Sequence, residues 1–147
     1  VLSRILPYKT DAGSGSLEQM ALAEFCKENF NSHVKTIKNK LQKKSEAICN
    51  ALDKYFGSSA EYKKPDGGIF VWVDMHKKVD TSRLYELALK DGVAINPGNE
   101  WSINKSGRHK MRLCFGNPSI KEIDEGIKRL AIICRKEFGI PTKIANL

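Results

Sequence analysis

Arg112 is the residue in this sequence best placed to do chemistry. It lies in Lys110-Met111-Arg112-Leu113-Cys114-Phe115-Gly116-Asn117. The alternation there predicts a strand, with Met111, Leu113 and Phe115 on one face and Arg112 and Cys114 on the other. An arginine so placed can lie in water or pair with a carboxylate of the chain, and spacing alone favours that reading because most arginines are solvated. Its planar fork can also hold a small carboxylate through two parallel hydrogen bonds. The residues around it have to decide.

Other reactive groupings are weak. No Gly-x-Ser-x-Gly elbow, Cys/His arrangement or metal-ligand motif is present. His33, His76 and His109 are scattered without ligand spacing. Cys26, Cys49, Cys114 and Cys134 lie far apart in apolar periodic surroundings. They predict buried free thiols in a reducing cytoplasm, and their spacing argues against zinc. Glu122 and Glu125 read as capping or surface acids. Gly13-Ser14-Gly15-Ser16 precedes a helix, where glycine and serine can cradle phosphate. It lacks the Lys-Ser/Thr of a P-loop and a clear preceding strand, so it reads as a connector. No set of groups here is complete enough to carry a reaction alone.

The chain has 147 residues, 41% hydrophobic and 29% charged, enough for one globular core. No apolar run approaches the roughly 20 residues of a membrane helix. Val1 to Pro7 is too short for a signal peptide. Because the chain opens on valine, it is expected to have been processed or cut from a longer one. The net charge of +8 permits a nucleic-acid or acidic partner. Lys35, Lys38, Lys40, Lys43 and Lys44 cluster, but no aromatics interleave with them as base stacking would want. A solvated face is expected, with no nucleic acid and no membrane as partner.

The elements that must position Arg112 follow from periodicity. Residues 1–15 read as a connector, punctuated by Pro7, Asp11, Gly13 and Gly15. Ser16 and Gln19 suggest a capping box opening a helix towards Asn29. A second, longer helix is expected through Val34, Ile37, Leu41, Ile48, Leu52 and Tyr55, ending at Gly57. Ala60 to Lys64 reads as a short edge strand stopped by Pro65, and Asp66-Gly67-Gly68 as a turn with positive φ at both glycines. Ile69 to Met75 is apolar on nearly both faces and should be a central strand. Asp80 caps a helix that stops at Gly92, Val93 to Asn96 is a strand, and Ser102 to Arg108 a polar loop. Ser119 and Glu122 form a capping box on a last helix, with Ile120, Ile123, Ile127, Leu130, Ala131, Cys134 and Phe138 as its buried stripe. The fold class is α+β: a two-layer sandwich of a small, mostly antiparallel sheet with helices on one face, preceded by a long interdomain helix. Met111, Leu113 and Phe115 then face the helices, and Arg112 the other side.

Pro65-Asp66-Gly67-Gly68-Ile69-Phe70-Val71-Trp72, Gly92-Val93-Ala94-Ile95-Asn96-Pro97-Gly98, Arg112-Leu113-Cys114-Phe115 and Ile123 to Ala131 follow in that order. This series resembles the C-terminal small domain of pyridoxal-phosphate-dependent aminotransferases of class I/II, fold type I. The resemblance covers nearly the whole chain, residues 16–147 being the small domain with its linking helix and residues 1–15 the connector from a missing large domain. It implies that Arg112 binds the substrate α-carboxylate. It also implies that the Schiff-base lysine, the acid facing the pyridine nitrogen and the phosphate cup lie upstream of Val1. No catalytic, cofactor-binding or metal-binding residue is therefore assigned within this chain. The whole protein is expected to be a cytoplasmic homodimer using pyridoxal 5'-phosphate to move an amino group between an amino acid and a 2-oxo acid. This piece alone is expected to be inactive. The small domain would close over substrate, with hinges near Gly13, Gly15 and the start of the long helix.

Within the resemblance, Gly67, Gly68 and Gly98 serve turns, and Phe70 and Trp72 read as core rather than stacking residues. Trp101 is read either as structural or as lining the substrate entrance. Arg108 and His109 either sit in a solvated loop or reach a side-chain carboxylate of the substrate. The alternative function is the aminotransferase-like effector-sensing domain of a bacterial transcription regulator. A winged helix-turn-helix far upstream would distinguish it. A free-standing basic nucleic-acid module is the remaining, disfavoured reading.

Overall fold

A computed structural model of the chain describes residues 15–102 and 106–143. The expected connector before Gly15, the hinge at Gly13 and the middle of the loop after Ser102 lie outside the described residues. The elements are helix α1 (Ser16–Tyr55), strands β1 (Ala60–Tyr62) and β2 (Phe70–Met75), helix α2 (Thr81–Lys90), strands β3 (Asn96–Pro97) and β4 (Lys110–Cys114), and helix α3 (Ile120–Phe138). Single 3-10 turns occupy Gly57–Ser59 and Gly98–Trp101. The chain divides into two compact units at Lys38/Asn39.

The second unit, from Asn39 onward, is the α+β sandwich expected. Its sheet has the order β1-β2-β4-β3, with every neighbouring pair antiparallel. β2 and β4 are central, and alternation sets what they bury. Val71, Val73 and Met75 of β2, with Met111 and Leu113 of β4 and Phe115 just beyond it, are buried on the helix side. The helices meet them with Ile48 and Leu52 of α1, Leu84 and Ala88 of α2, and Ile123, Ile127, Leu130 and Cys134 of α3. Ile120, counted in the α3 stripe from sequence, is exposed.

The caps are largely where residue chemistry put them. The Asp80 carboxylate accepts from the Ser82 and Arg83 amides. Ser119 and Glu122 form the reciprocal capping box. Gly57, Gly92 and Gly139 take the positive φ at which helices stop. Of Gly67 and Gly68, Gly68 alone has positive φ. The start of α1 differs. Gln19 N–H donates to the Gly15 carbonyl, which places Ser16 inside the helix rather than at its cap.

The two N-terminal helices expected from sequence are one. The sequence reading ends the first helix towards Asn29, where Asn and Ser residues are able to cap a helix. Here their side chains turn back onto the helix: Asn29 Nδ2 donates to Phe25 O at 3.2 Å, Ser32 Oγ to Asn29 O at 2.9 Å, and Thr36 Oγ1 to Ser32 O at 3.0 Å. Used in this way they do not cap a new helix. Strand lengths also shrink. β1 ends at Tyr62, and Val93 to Ile95 is not strand, the Val93 amide being held by Ala88 O.

The four cysteines are free, but only Cys49 and Cys134 are buried. Cys114 is exposed because alternation puts it on the face away from the helices, and Cys26 is half-buried on α1. In the lysine run, Lys44 is not simply solvated. Its Nζ donates to the Gly116 and Asn117 carbonyls at 2.8 and 3.1 Å, tying α1 to the turn after β4. Among the described residues, no helix is long and apolar enough to cross a membrane.

Candidate carboxylate-binding site

Arg112 projects from β4 on the sheet face away from the helices. Register sets its neighbours: Trp72 of β2 and Asn96 of β3 are its partners on either side. Residues directly opposite share a face. Phe70, two residues before Trp72, lies on the same face by alternation. Trp101 arrives by a different route. After β3 the chain turns at Pro97-Gly98 and folds through the 3-10 turn Gly98–Trp101. That turn lies directly on the backbone leading into β4. A Cβ at Gly98 would sit 2.5 Å from Gly107 O and 2.6 Å from Lys110 O.

The guanidinium is held by this frame. Its Cζ lies over the Phe70 ring at 4.0 Å from the centroid and over the Trp101 ring at 4.1 Å. Both are cation–π contacts, and they orient the plane. Trp101 in turn stands edge-on to Trp72, with centroids 6.2 Å apart and planes at 86°. Nη2 makes a long hydrogen bond of 3.4 Å to Asn96 Oδ1. Nε is buried and has no partner among the described residues. A buried donor left without an acceptor is costly, and in native proteins it calls for an explanation. The oriented fork is suited to a planar anion at its terminal nitrogens, where the bond to Asn96 is long.

The other charged groups near this face are engaged with one another. Lys110 Nζ meets Asp74 at 3.0 Å, and His109 Nε2 meets the same carboxylate at 3.2 Å. Arg108 Nε donates to Asp80 at 3.1 Å, and Arg108 is largely exposed. The backbone of this loop is structural. Arg108 O accepts from Thr81 N–H and its hydroxyl, and His109 O from Met75 N–H. Arg108 and His109 are therefore not gathered around Arg112.

Phe70 and Trp72 are not core residues. Both are partly exposed on the outer face, because the inner positions of β2 belong to Val71 and Val73. Phe70 stacks on the arginine. Asn96 was not singled out from sequence. The signal available was its place just before Pro97-Gly98, but the register that sets it beside Arg112 is not local.

These residues do not fit a cofactor phosphate. The N-termini of α2 and α3, where backbone amides could cradle one, are filled by Asp80 and by Ser119 with Glu122. A carboxylate at each position repels a second anion. This face suits the carboxylate end of a small molecule.

The sequence model for aminotransferase class I and II matches residues 4–130. Among curated proteins, the chain is 31% identical to the 2-aminoadipate transaminase of Thermus thermophilus over 82% of its own length and 30% of that protein. It is 32% identical to YisV, an uncharacterized HTH-type transcriptional regulator of Bacillus subtilis, over 92% of its length and 28% of that protein. Among solved structures, it superposes on the alpha-aminoadipate aminotransferase LysN from Thermus thermophilus with a TM-score of 0.78 at 29% identity, covering 86% of this chain and 32% of that one. The chain thus spans about 30% of the length of these relatives.

Proposed function

The chain belongs to the aminotransferase class I and II family, and on that premise we propose that Arg112 binds the α-carboxylate of an amino acid or 2-oxo acid. The observation that carries this reading is the half-buried guanidinium, oriented between the Phe70 and Trp101 rings and without an ion pair among the described residues. A permanent charge with a fixed plane binds a carboxylate and sets its orientation together, and orientation is a large part of what such a site contributes to rate. Phe70, Trp101 and Asn96 hold the plane. The whole protein is proposed to be a homodimeric transaminase of a reducing compartment such as the cytoplasm, where free thiols persist. Pyridoxal phosphate, which supplies the electron sink, is proposed to be held by residues outside this chain. Residues 16–147 act in this reading as the domain that presents Arg112.

The test is Arg112→Ala and Arg112→Lys in the full-length protein. Loss of a charge-assisted pair should lower kcat/KM for amino acids about 10–100-fold, with cofactor content unchanged. Lysine should rescue only in part, because it lacks the fork. Unaltered use of amino acids by Arg112→Ala would overturn the reading.

A second reading has equal support in similarity. The matches to HTH-type regulators cover as much of the chain as those to transaminases. In that case the same arginine binds an effector carboxylate. DNA binding by the full-length protein that changes on addition of an amino acid, without turnover, would select it.

A further inference from the structure

We propose that Trp101, with Trp72 and Phe70, makes this site selective for amino acids with large apolar or aromatic side chains, and against those with acidic ones. The inference rests on the reading of Arg112 as the α-carboxylate site.

A carboxylate paired with Arg112 places its Cα, and whatever Cα carries, within a few Å of the rings that touch the guanidinium. Trp101 contacts Arg112, yet it remains 55% exposed, with Trp72 at 45% and Phe70 at 37%. The inward positions of the same strands are buried almost completely. Two tryptophans and a phenylalanine grouped around one cation form a local apolar surface of the kind that marks binding sites. The pairing of Trp72 with Arg112 across β2 and β4, and the edge-on contact between Trp72 and Trp101, keep that surface continuous.

The charges argue in the same direction. An acidic side chain needs a second cation. On this face the next pair along the strands is Asp74 with Lys110, and Lys110 is already matched by Asp74, which His109 also meets. Arg108 is held by Asp80. The next charged pair on this face thus meets a second carboxylate with the Asp74 carboxylate as well as with Lys110. An apolar side chain instead covers exposed ring surface.

The test uses the full-length protein with its cofactor and measures kcat/KM for L-phenylalanine, L-leucine, L-alanine and L-glutamate. Where there is no turnover, dissociation constants from titration calorimetry replace it. Phenylalanine and leucine should exceed alanine by about 10-fold or more, the scale of an aromatic contact plus its buried area, and glutamate should be weakest. Trp101→Ala should lower the phenylalanine-to-alanine ratio about 5–10-fold, with Trp101→Phe restoring most of it and Trp72→Leu giving a smaller loss. The ratio is the readout because a ring that merely orients Arg112 affects every substrate equally. Glutamate as the best substrate, or a ratio unmoved by Trp101→Ala, would overturn this proposal while leaving Arg112 as the carboxylate site. Failure of Arg112→Ala to weaken any of the four would overturn the carboxylate reading and this inference with it.

Discussion

At the scale of single residues, environment rather than identity separates groups of one type. Cys114 is exposed two residues from Arg112 on the same face, whereas Cys134 is fully enclosed on the buried face of α3. Burial pushes the Cys134 thiol up to about 12, against 9.0 for an ordinary cysteine. Below pH 9 both folded and unfolded chains keep this proton. Between pH 9 and about 12 the unfolded chain releases it and the folded chain does not, so stability is lost as pH rises through that window. Each such proton contributes a slope of about 1.4 kcal/mol per pH unit. Urea unfolding at pH 8 and pH 10.5 should show this decline in the native chain and a shallower one in Cys134→Ala. Arg112 is the converse case: a half-buried cation whose neighbours are rings and an amide, with no acid among the described residues neutralising it.

At the scale of elements, a turn glycine and a helix glycine should respond oppositely to alanine. Gly98 lies where the 3-10 turn crosses backbone, and a Cβ there would meet two carbonyl oxygens that cannot swing aside. Gly98→Ala should cost about 1–3 kcal/mol, as overpacking does. By displacing Trp101 it should also disturb the Arg112 contact. Gly126, inside α3, would meet nothing within 4 Å. Gly126→Ala should stabilise the chain by about 0.5–1 kcal/mol, since alanine restricts the unfolded state and favours helix. Thermal melts of the two variants beside the parent chain measure both. The same contrast explains why the Gly98 turn belongs to the site and the α3 glycine does not.

At the scale of the whole molecule, α1 has two characters. From Ser45 to Tyr55 it buries Ile48, Ala51, Leu52 and Tyr55 in the core. In the first unit Leu17, Met20, Leu22, Phe25, Phe30 and Ile37 are exposed, with a Phe25–His33 edge contact as local packing. A helix without a buried face is marginal by itself. Amide exchange should therefore be faster in residues 16–38 than in residues 45–55 by about 100-fold or more, as local opening decouples from the core. Equal protection along α1 in this chain would contradict that expectation.

Sequence alone determined the element types, most of their ends and the inward faces of the sheet. These depend on local physics: period-2 and period-3.6 burial, side-chain oxygens at Asp80 and Ser119, and glycines able to take positive φ. It also placed Arg112 opposite Met111, Leu113 and Phe115. What tertiary structure decided was the company Arg112 keeps. Phe70, Asn96 and Trp101 come from separate segments, joined by strand register and by a turn that lies across backbone. Alternation shows that Phe70 and Trp72 share a face, but not whether that face is core or site. The helix break after Asn29 failed for a related reason. Asn and Ser can cap a helix or bond back within it, and the choice is made by the chain around them.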